Sequence, residues 1–171
     1  IRKAVDMLAV AKAPVMIMGG GVILAEAEKE VIRLAEELKI PIIQTYMAKG
    51  GVPVEHPLNA GHAGIQVGQP IGNKVMLESD VVLALGCRFS DRHTGDLKVY
   101  RGDRKFIHVD IEPKQIGKVF TPDLGIAADV KLTVEAILEE VKKRGVKPLN
   151  EARAAELPAL RASLERRTDY N

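Results

Sequence analysis

Short apolar runs alternate along this chain with stretches in which apolar residues return every three to four positions. Ile1, Ala4, Val5, Leu8 and Ala9 fall on one face and predict a helix ending near Ala11. After Pro14, the run Val15-Met16-Ile17-Met18 stops at Gly19-Gly20-Gly21 and reads as a buried strand. An Ala/Glu-rich helix is predicted from about Leu24 to Leu38, and Pro41 opens a second strand, Ile42 to Thr45. The Gly- and Pro-rich stretch from Gly50 to Gly68 reads as a long functional loop with short strand pieces. A helix from about Pro70 to Glu78 leads into Val81-Val82-Leu83-Ala84-Leu85, which stops at Gly86. A loop from Arg88 to Asp103 precedes the strand Lys105 to Val109, which ends at Asp110. A short strand at Leu124–Ala128 and a helix from about Leu132 to Arg144 close the compact part.

Strands that alternate with helices, each ending in Gly or a polar residue, predict a doubly wound α/β fold. Its sheet is mostly parallel, six-stranded and Rossmann-like. In such sheets ligands bind beyond the carboxyl ends of the strands. Residues 1–147 form this domain. Residues 148–171, rich in Ala, Glu and Arg, read as a helical linker toward a neighbouring domain. A first helix already under way at Ile1 is expected of a piece of a longer polypeptide.

Composition narrows the function by exclusion. The 171 residues suit one domain, and 46% hydrophobic with 28% charged residues is ordinary for a globular core. A net charge of +2 without a basic block, and 4% aromatics without Trp, argue against nucleic acid as a partner. Cys87 is the sole cysteine, which rules out an internal disulfide and a Cys-based zinc cluster. No apolar run reaches the roughly 18 residues of a membrane span, so no membrane partner is expected. A reducing cytoplasm is consistent with these features.

The strand ends carry the candidate chemistry. Gly19, Gly20 and Gly21 permit close approach of another backbone or of a ligand, and the helix that follows offers N–H groups to a phosphate. This is neither the G-x-G-x-x-G spacing of an NAD site nor a Walker A loop. Gly86 lets a ligand lie against the chain. Arg88 and Arg92 suit a phosphate or a local salt bridge with Asp91. Asp110 is placed either to accept from ribose hydroxyls or to cap the turn into Pro113. Asp129 is placed either for a ligand or as the N-cap of the last helix. His62, flanked by Gly61 and Gly64, can meet a ligand, and His108 reads as structural. No nucleophile elbow, catalytic carboxylate pair or metal motif is present, so bond-making by these residues alone is not expected.

Taken together, four segments resemble a known family. They are Gly19-Gly20-Gly21, Gly61-His62-Ala63-Gly64, Gly86-Cys87-Arg88-Phe89-Ser90-Asp91-Arg92 and His108-Val109-Asp110-Ile111-Glu112-Pro113. In this order and spacing they resemble the central domain of the acetohydroxyacid synthase and glyoxylate carboligase group of thiamine-diphosphate enzymes, over essentially the whole chain. Arg92-His93-Thr94-Gly95 and the run from Asp110 to Ile126 resemble the glyoxylate carboligase branch, where the synthases usually carry Val in place of His93. Asp91 departs from that branch and matches the synthases.

The resemblance implies FAD, in a structural role, held by this domain. Its diphosphate and ribose would meet Gly19, Gly20, Gly21, Gly86, Arg88, Asp110 and Asp129. Thr45, Tyr46, Met47, His62, Ala63, Gly64 and Arg92 would lie along the flavin, with Asp91, Ile111 and Val130 beside them. It also implies two further domains as partners, holding thiamine diphosphate and magnesium, and a homo-oligomer, dimer or tetramer, of the intact enzyme. The implied reaction joins two glyoxylates with loss of carbon dioxide to give tartronate semialdehyde, and the isolated domain would be inactive. The competing readings are an acetolactate synthase central domain, a spacer domain without nucleotide, and a free-standing NAD-binding domain.

Overall fold

The computed structural model describes residues 1–65 and 69–165; the expectations for 66–68 and 166–171 lie outside them. Six strands form one sheet: β1 (Val15–Met18), β2 (Ile42–Gln44), β3 (Asn59–His62), β4 (Val81–Leu85), β5 (Lys105–Asp110) and β6 (Leu124–Ala127). Their spatial order is β3-β2-β1-β4-β5-β6. Every pairing is parallel, a stricter result than the mostly parallel sheet expected. Parallel strands need crossovers over both faces, so central strands are buried on both sides. This explains the unbroken apolar runs of β1 and β4, all of whose residues are buried.

Alternation along the strands divides the core in two. Met16, Met18, Ile42, Leu83, Leu85, Ile107 and Val109 face α1 (Arg2–Ala9), α3 (Glu28–Leu38) and α7 (Val130–Arg144). Val15, Ile17, Ile43, Val82, Ala84 and Phe106 face α4 (Pro70–Leu77), α6 (Leu97–Arg101) and α8 (Glu151–Glu165). The segment expected as a linker is thus a helix packed on the body. Leu157 is fully buried in the second cluster, and Arg161 donates to the carbonyls of His56 and Asn59 at 3.0 and 2.6 Å.

Two elements differ from the reading of the sequence. The helix expected from about Leu24 to Leu38 begins only at Glu28, as α3; a separate short helix, α2 (Gly20–Leu24), precedes it, and Glu26 takes φ 49° and turns the chain between them. Ala and Glu are strong helix formers, so nothing local announces the break. The loop after β4 is built from two short helices, α5 (Asp91–Thr94) and α6, the second capped by Asp96, which accepts from Lys98 N at 2.8 Å.

At the centre of the sheet the turns after β1 and β4 touch backbone to backbone. Gly19 N donates to Leu85 O at 2.8 Å and Gly21 N to Gly86 O at 3.1 Å. A Cβ at Gly19 would lie 2.1 Å from Gly86 O, and one at Gly86, whose φ is +57°, would lie 2.6 Å from Gly21 Cα. Beyond β4 the chain is anchored by Phe89, whose buried ring meets those of Tyr100, Phe106, His108 and Phe120 at centroid distances of 4.8–6.2 Å. Arg104 is buried with no carboxylate partner among the described residues. Its guanidinium donates to the carbonyls of Met76, Leu77, Val99 and Tyr100 at 2.7–3.0 Å, joining the ends of α4 and α6. His93 is buried between Ala63 O, at 3.0 Å from Nδ1, and the Tyr100 hydroxyl, at 2.8 Å from Nε2.

Two outcomes follow for stability. Gly19→Ala forces the two turns apart and is expected to cost about 3 kcal/mol, on the order of 6–12 °C in Tm, by thermal melt. An unchanged Tm would contradict the backbone lock. Burial holds the His93 imidazole down at about 4, below the ordinary 6.5. The unfolded chain therefore takes up a proton below pH 6.5 that the folded chain refuses until about pH 4. Stability is expected to fall across that window, and His93→Gln to flatten the slope in melts recorded at successive pH values. An equal slope in the variant would contradict this.

Candidate functional site at the strand ends

Because all six strands run the same way, their carboxyl ends share one rim, and with them every residue singled out for ligand contact. The direction of winding reverses between β1 and β4, which is where a crevice opens in folds of this order. Hydrogen bonds tie the rim loops into one body. Thr45 N donates to Met18 O at 3.0 Å, Gly86 N to Val109 O at 2.8 Å, and Ala128 N to Asp110 O at 3.1 Å. The β3 turn reaches the loop after β4 through Ile65 N, which donates to Arg92 O at 3.3 Å.

The glycines divide by role. Gly19 is buried, and both Gly19 and Gly21 are required by contact with Gly86, so the space expected for a ligand there is filled by the opposite turn. The Gly21 N–H, one of those expected to be offered to a phosphate, is engaged by Gly86 O. Gly20 remains half-exposed beside Met47, where a Cβ would sit 3.0 Å from that side chain's Cβ. Arg88 and Arg92 are exposed. Neither has a carboxylate within ion-pair distance among the described residues, so the local salt bridge with Asp91 is not formed. Asp91 Oδ1 instead accepts the backbone N–H of Arg92 at 2.9 Å.

The two candidate aspartates also have local duties. Asp110 Oδ1 accepts from Glu112 N at 2.9 Å, while its Oδ2 lies 4.0 Å from His108 Nε2. That nitrogen donates to Cys87 O at 2.9 Å, so it adds nothing to Oδ2. The buried Asp110 thus keeps one oxygen for a hydroxyl donor. Asp129 caps α7, accepting from Leu132 N at 3.0 Å, which is why that helix starts at Val130 and not at Leu132. Val130 places its side chain in the core, so only its backbone can face the rim.

Along the β2–β3 half of the rim Thr45 and Ala63 are buried, Gly64 is half-buried, and Tyr46 and Met47 are each 65% exposed; Ile111, just beyond β5, is 70% exposed. His62 is half-buried, its Nδ1 3.2 Å from Gln44 O, and burial pulls its pKa down, so the ring is neutral near pH 7. His108 is shifted the same way by burial. Burial pushes the Cys87 thiol up to about 12, which removes it as a nucleophile.

A buried amide pair supports this half and was not singled out from the sequence. Gln44 Oε1 accepts from Gly50 N and Val52 N at 3.1 and 3.2 Å, and its Nε2 donates to Asn59 Oδ1 at 3.2 Å. Asn59 in turn donates to Pro53 O at 3.0 Å and accepts from Gly61 N at 2.8 Å. A Gln ending an apolar strand was the one available signal. An open recess of about 420 Å³, lined by Glu36, Glu37, Lys142, Val146 and Lys147, lies at the C-terminal ends of α3 and α7. It is on the opposite side of the sheet and has no part in this site. No helix among the described residues is long and apolar enough to cross a membrane.

Comparison with known proteins agrees with this geometry. The family described as thiamine pyrophosphate enzyme, central domain, matches residues 1–137. Glyoxylate carboligase of Escherichia coli O157:H7 is 41% identical over 174 residues, covering 100% of this chain and 29% of that protein. Probable acetolactate synthase large subunits of Methanococcus aeolicus and Methanocaldococcus jannaschii are 42% and 44% identical, each over 81–82% of this chain and 23% of theirs. The chain spans less than a third of the length of these relatives. With the family match and the all-parallel strand-end rim in agreement, this chain belongs to the central-domain family of thiamine pyrophosphate enzymes.

Proposed function

We propose that this chain is the FAD-holding central domain of a thiamine-diphosphate-dependent carboligase that condenses two glyoxylates to tartronate semialdehyde and carbon dioxide. The observation that carries the choice of glyoxylate is the extent of the match. The likeness to glyoxylate carboligase runs through the whole chain, whereas those to the acetolactate synthases cover 81–82% of it. A carboligase acting on pyruvate is the second reading, favoured by Asp91 and by the slightly higher identity over the shorter span.

The residues at the rim fit a dinucleotide. Arg88 offers a guanidinium without a competing carboxylate among the described residues, which suits a diphosphate, and Arg92, equally unpaired among them, would lie toward the flavin. Half-exposed Gly20 lets the ligand cross the sheet above the locked turns. Asp110 Oδ2, which lacks a close hydrogen-bond donor among the described residues, would accept from a ribose hydroxyl. Exposed Tyr46 and Met47, with the neutral His62, offer an apolar flank to a flat ring. Gly19 and Gly21 weigh neither for FAD nor for an empty spacer domain, because packing alone requires them. Thiamine diphosphate, held with magnesium by the other two domains, supplies the carbanion chemistry. These residues bind and orient FAD, whose role is structural. The intact enzyme is a cytoplasmic homo-oligomer in this reading.

The purified full-length protein is expected to carry flavin absorbance. Arg88→Ala and Gly20→Val are expected to weaken FAD by about five- to hundred-fold, the effect of losing one buried or charged contact. Unchanged flavin content in both variants overturns the FAD reading. Activity of the intact enzyme with glyoxylate well above that with pyruvate is expected, and the reverse preference overturns the choice of substrate.

A further inference from the structure

A closed circuit of hydrogen bonds joins two of the rim loops to the helices beneath them. The β3 turn meets the loop after β4 at three points: Ala63 O with His93 Nδ1 at 3.0 Å, Ile65 N with Arg92 O at 3.3 Å, and Gly64 against the His93 backbone. From His93 the circuit continues to the Tyr100 hydroxyl, at 2.8 Å from Nε2. The carbonyl of Tyr100 accepts from Arg104 at 3.0 Å, and Arg104 also grips Met76 O and Leu77 O at the end of α4. Asn73, on the same helix, returns to the start: its Oδ1 accepts from Gly64 N at 2.9 Å.

The direction of each bond at His93 is fixed by chemistry. A carbonyl oxygen only accepts, so Nδ1 carries the proton given to Ala63 O. The neutral ring then leaves Nε2 as an acceptor, and the Tyr100 hydroxyl is its donor. Both partners are buried, as is the ring, so neither bond has water as a ready substitute. His93 is also the residue next to Arg92, whose guanidinium is exposed at the rim. Among the described residues it is the side chain that spans from that loop to both the β3 turn and α6.

We propose that His93, oriented by Tyr100, is a positioning residue that fixes the Ala63–Gly64 turn and Arg92 against each other so that both meet the flavin. This rests on the FAD reading above. It adds that neither His93 nor Tyr100 touches the ligand, yet both set its affinity. Val at position 93 removes both bonds while keeping a compact apolar side chain. Gln retains one donor and one acceptor about as far apart as the two ring nitrogens. Tyr100→Phe removes one hydroxyl and leaves the aromatic cluster in place.

The test is a titration of flavin-stripped full-length protein with FAD, followed by flavin fluorescence, with a thermal melt of each stripped protein beside it. His93→Val and Tyr100→Phe are each expected to raise the FAD Kd about ten-fold, and His93→Gln to recover most of the loss relative to Val. A general loss of packing would give the Gln variant no such advantage at equal Tm. Wild-type affinity in both Tyr100→Phe and His93→Val overturns the inference, as does His93→Gln binding no better than His93→Val. Should the wild-type protein itself take up no FAD, the ligand reading fails, and the inference falls with it by a different and recognisable result.

Discussion

The contact between the turns after β1 and β4 constrains everything at the rim. Two peptide chains can approach this closely only where neither carries a Cβ, and Gly19, Gly21 and Gly86 meet that condition. The lock joins the two central strands where the winding reverses, so the loops on either side are placed relative to one fixed seam. Thr45 is tied to β1 on one flank and Gly86 to β5 on the other. The residues proposed to meet a ligand are placed relative to this seam: half-exposed Gly20 above it, Arg88 just beyond it, and Asp110 one strand further.

That seam also changes what the glycines signify. Read as letters, three consecutive glycines at a strand end suggest a phosphate cradle. In three dimensions two of the three are committed to the neighbouring turn, and the groups left for a ligand are exposed arginines without counter-charges among the described residues and a buried aspartate with a spare oxygen. The Cys87 thiol is held protonated by burial, and the histidines at the rim are engaged by carbonyls. In the proposed reading, a domain so built would hold and orient a ligand, with the chemistry left to a cofactor in the other domains.

Much of this architecture was legible in the sequence. Val15–Met18 and Val81–Leu85 were plain because a strand buried on both faces needs an unbroken apolar run, and a glycine marks its end. The break at Glu26 was invisible, because the residues around it favour helix and tertiary packing overrides them. The docking of the last helix escaped notice because it rests on one fully buried residue, Leu157, and on arginines, Arg153 and Arg161, that reach partners far away in the chain. Gly19–Gly21, Gly86, Arg88, Asp110 and Asp129 were candidates from strand ends, whereas Thr45, Tyr46, Met47, Ala63, Ile111 and Val130 came only with the family resemblance. Their supports were not legible: the Gln44–Asn59 amide pair and the Ala63–His93–Tyr100–Arg104 circuit join residues far apart in the chain, and no local spacing announces such pairings.

An experimental structure of the intact enzyme, purified without added cofactor, tests the central claim most directly. The account predicts elongated density across the seam above Gly20, with a diphosphate within hydrogen-bonding distance of Arg88 and a ribose hydroxyl at Asp110. A nucleotide bound at another surface, or a rim filled by side chains of the neighbouring domains, would contradict it.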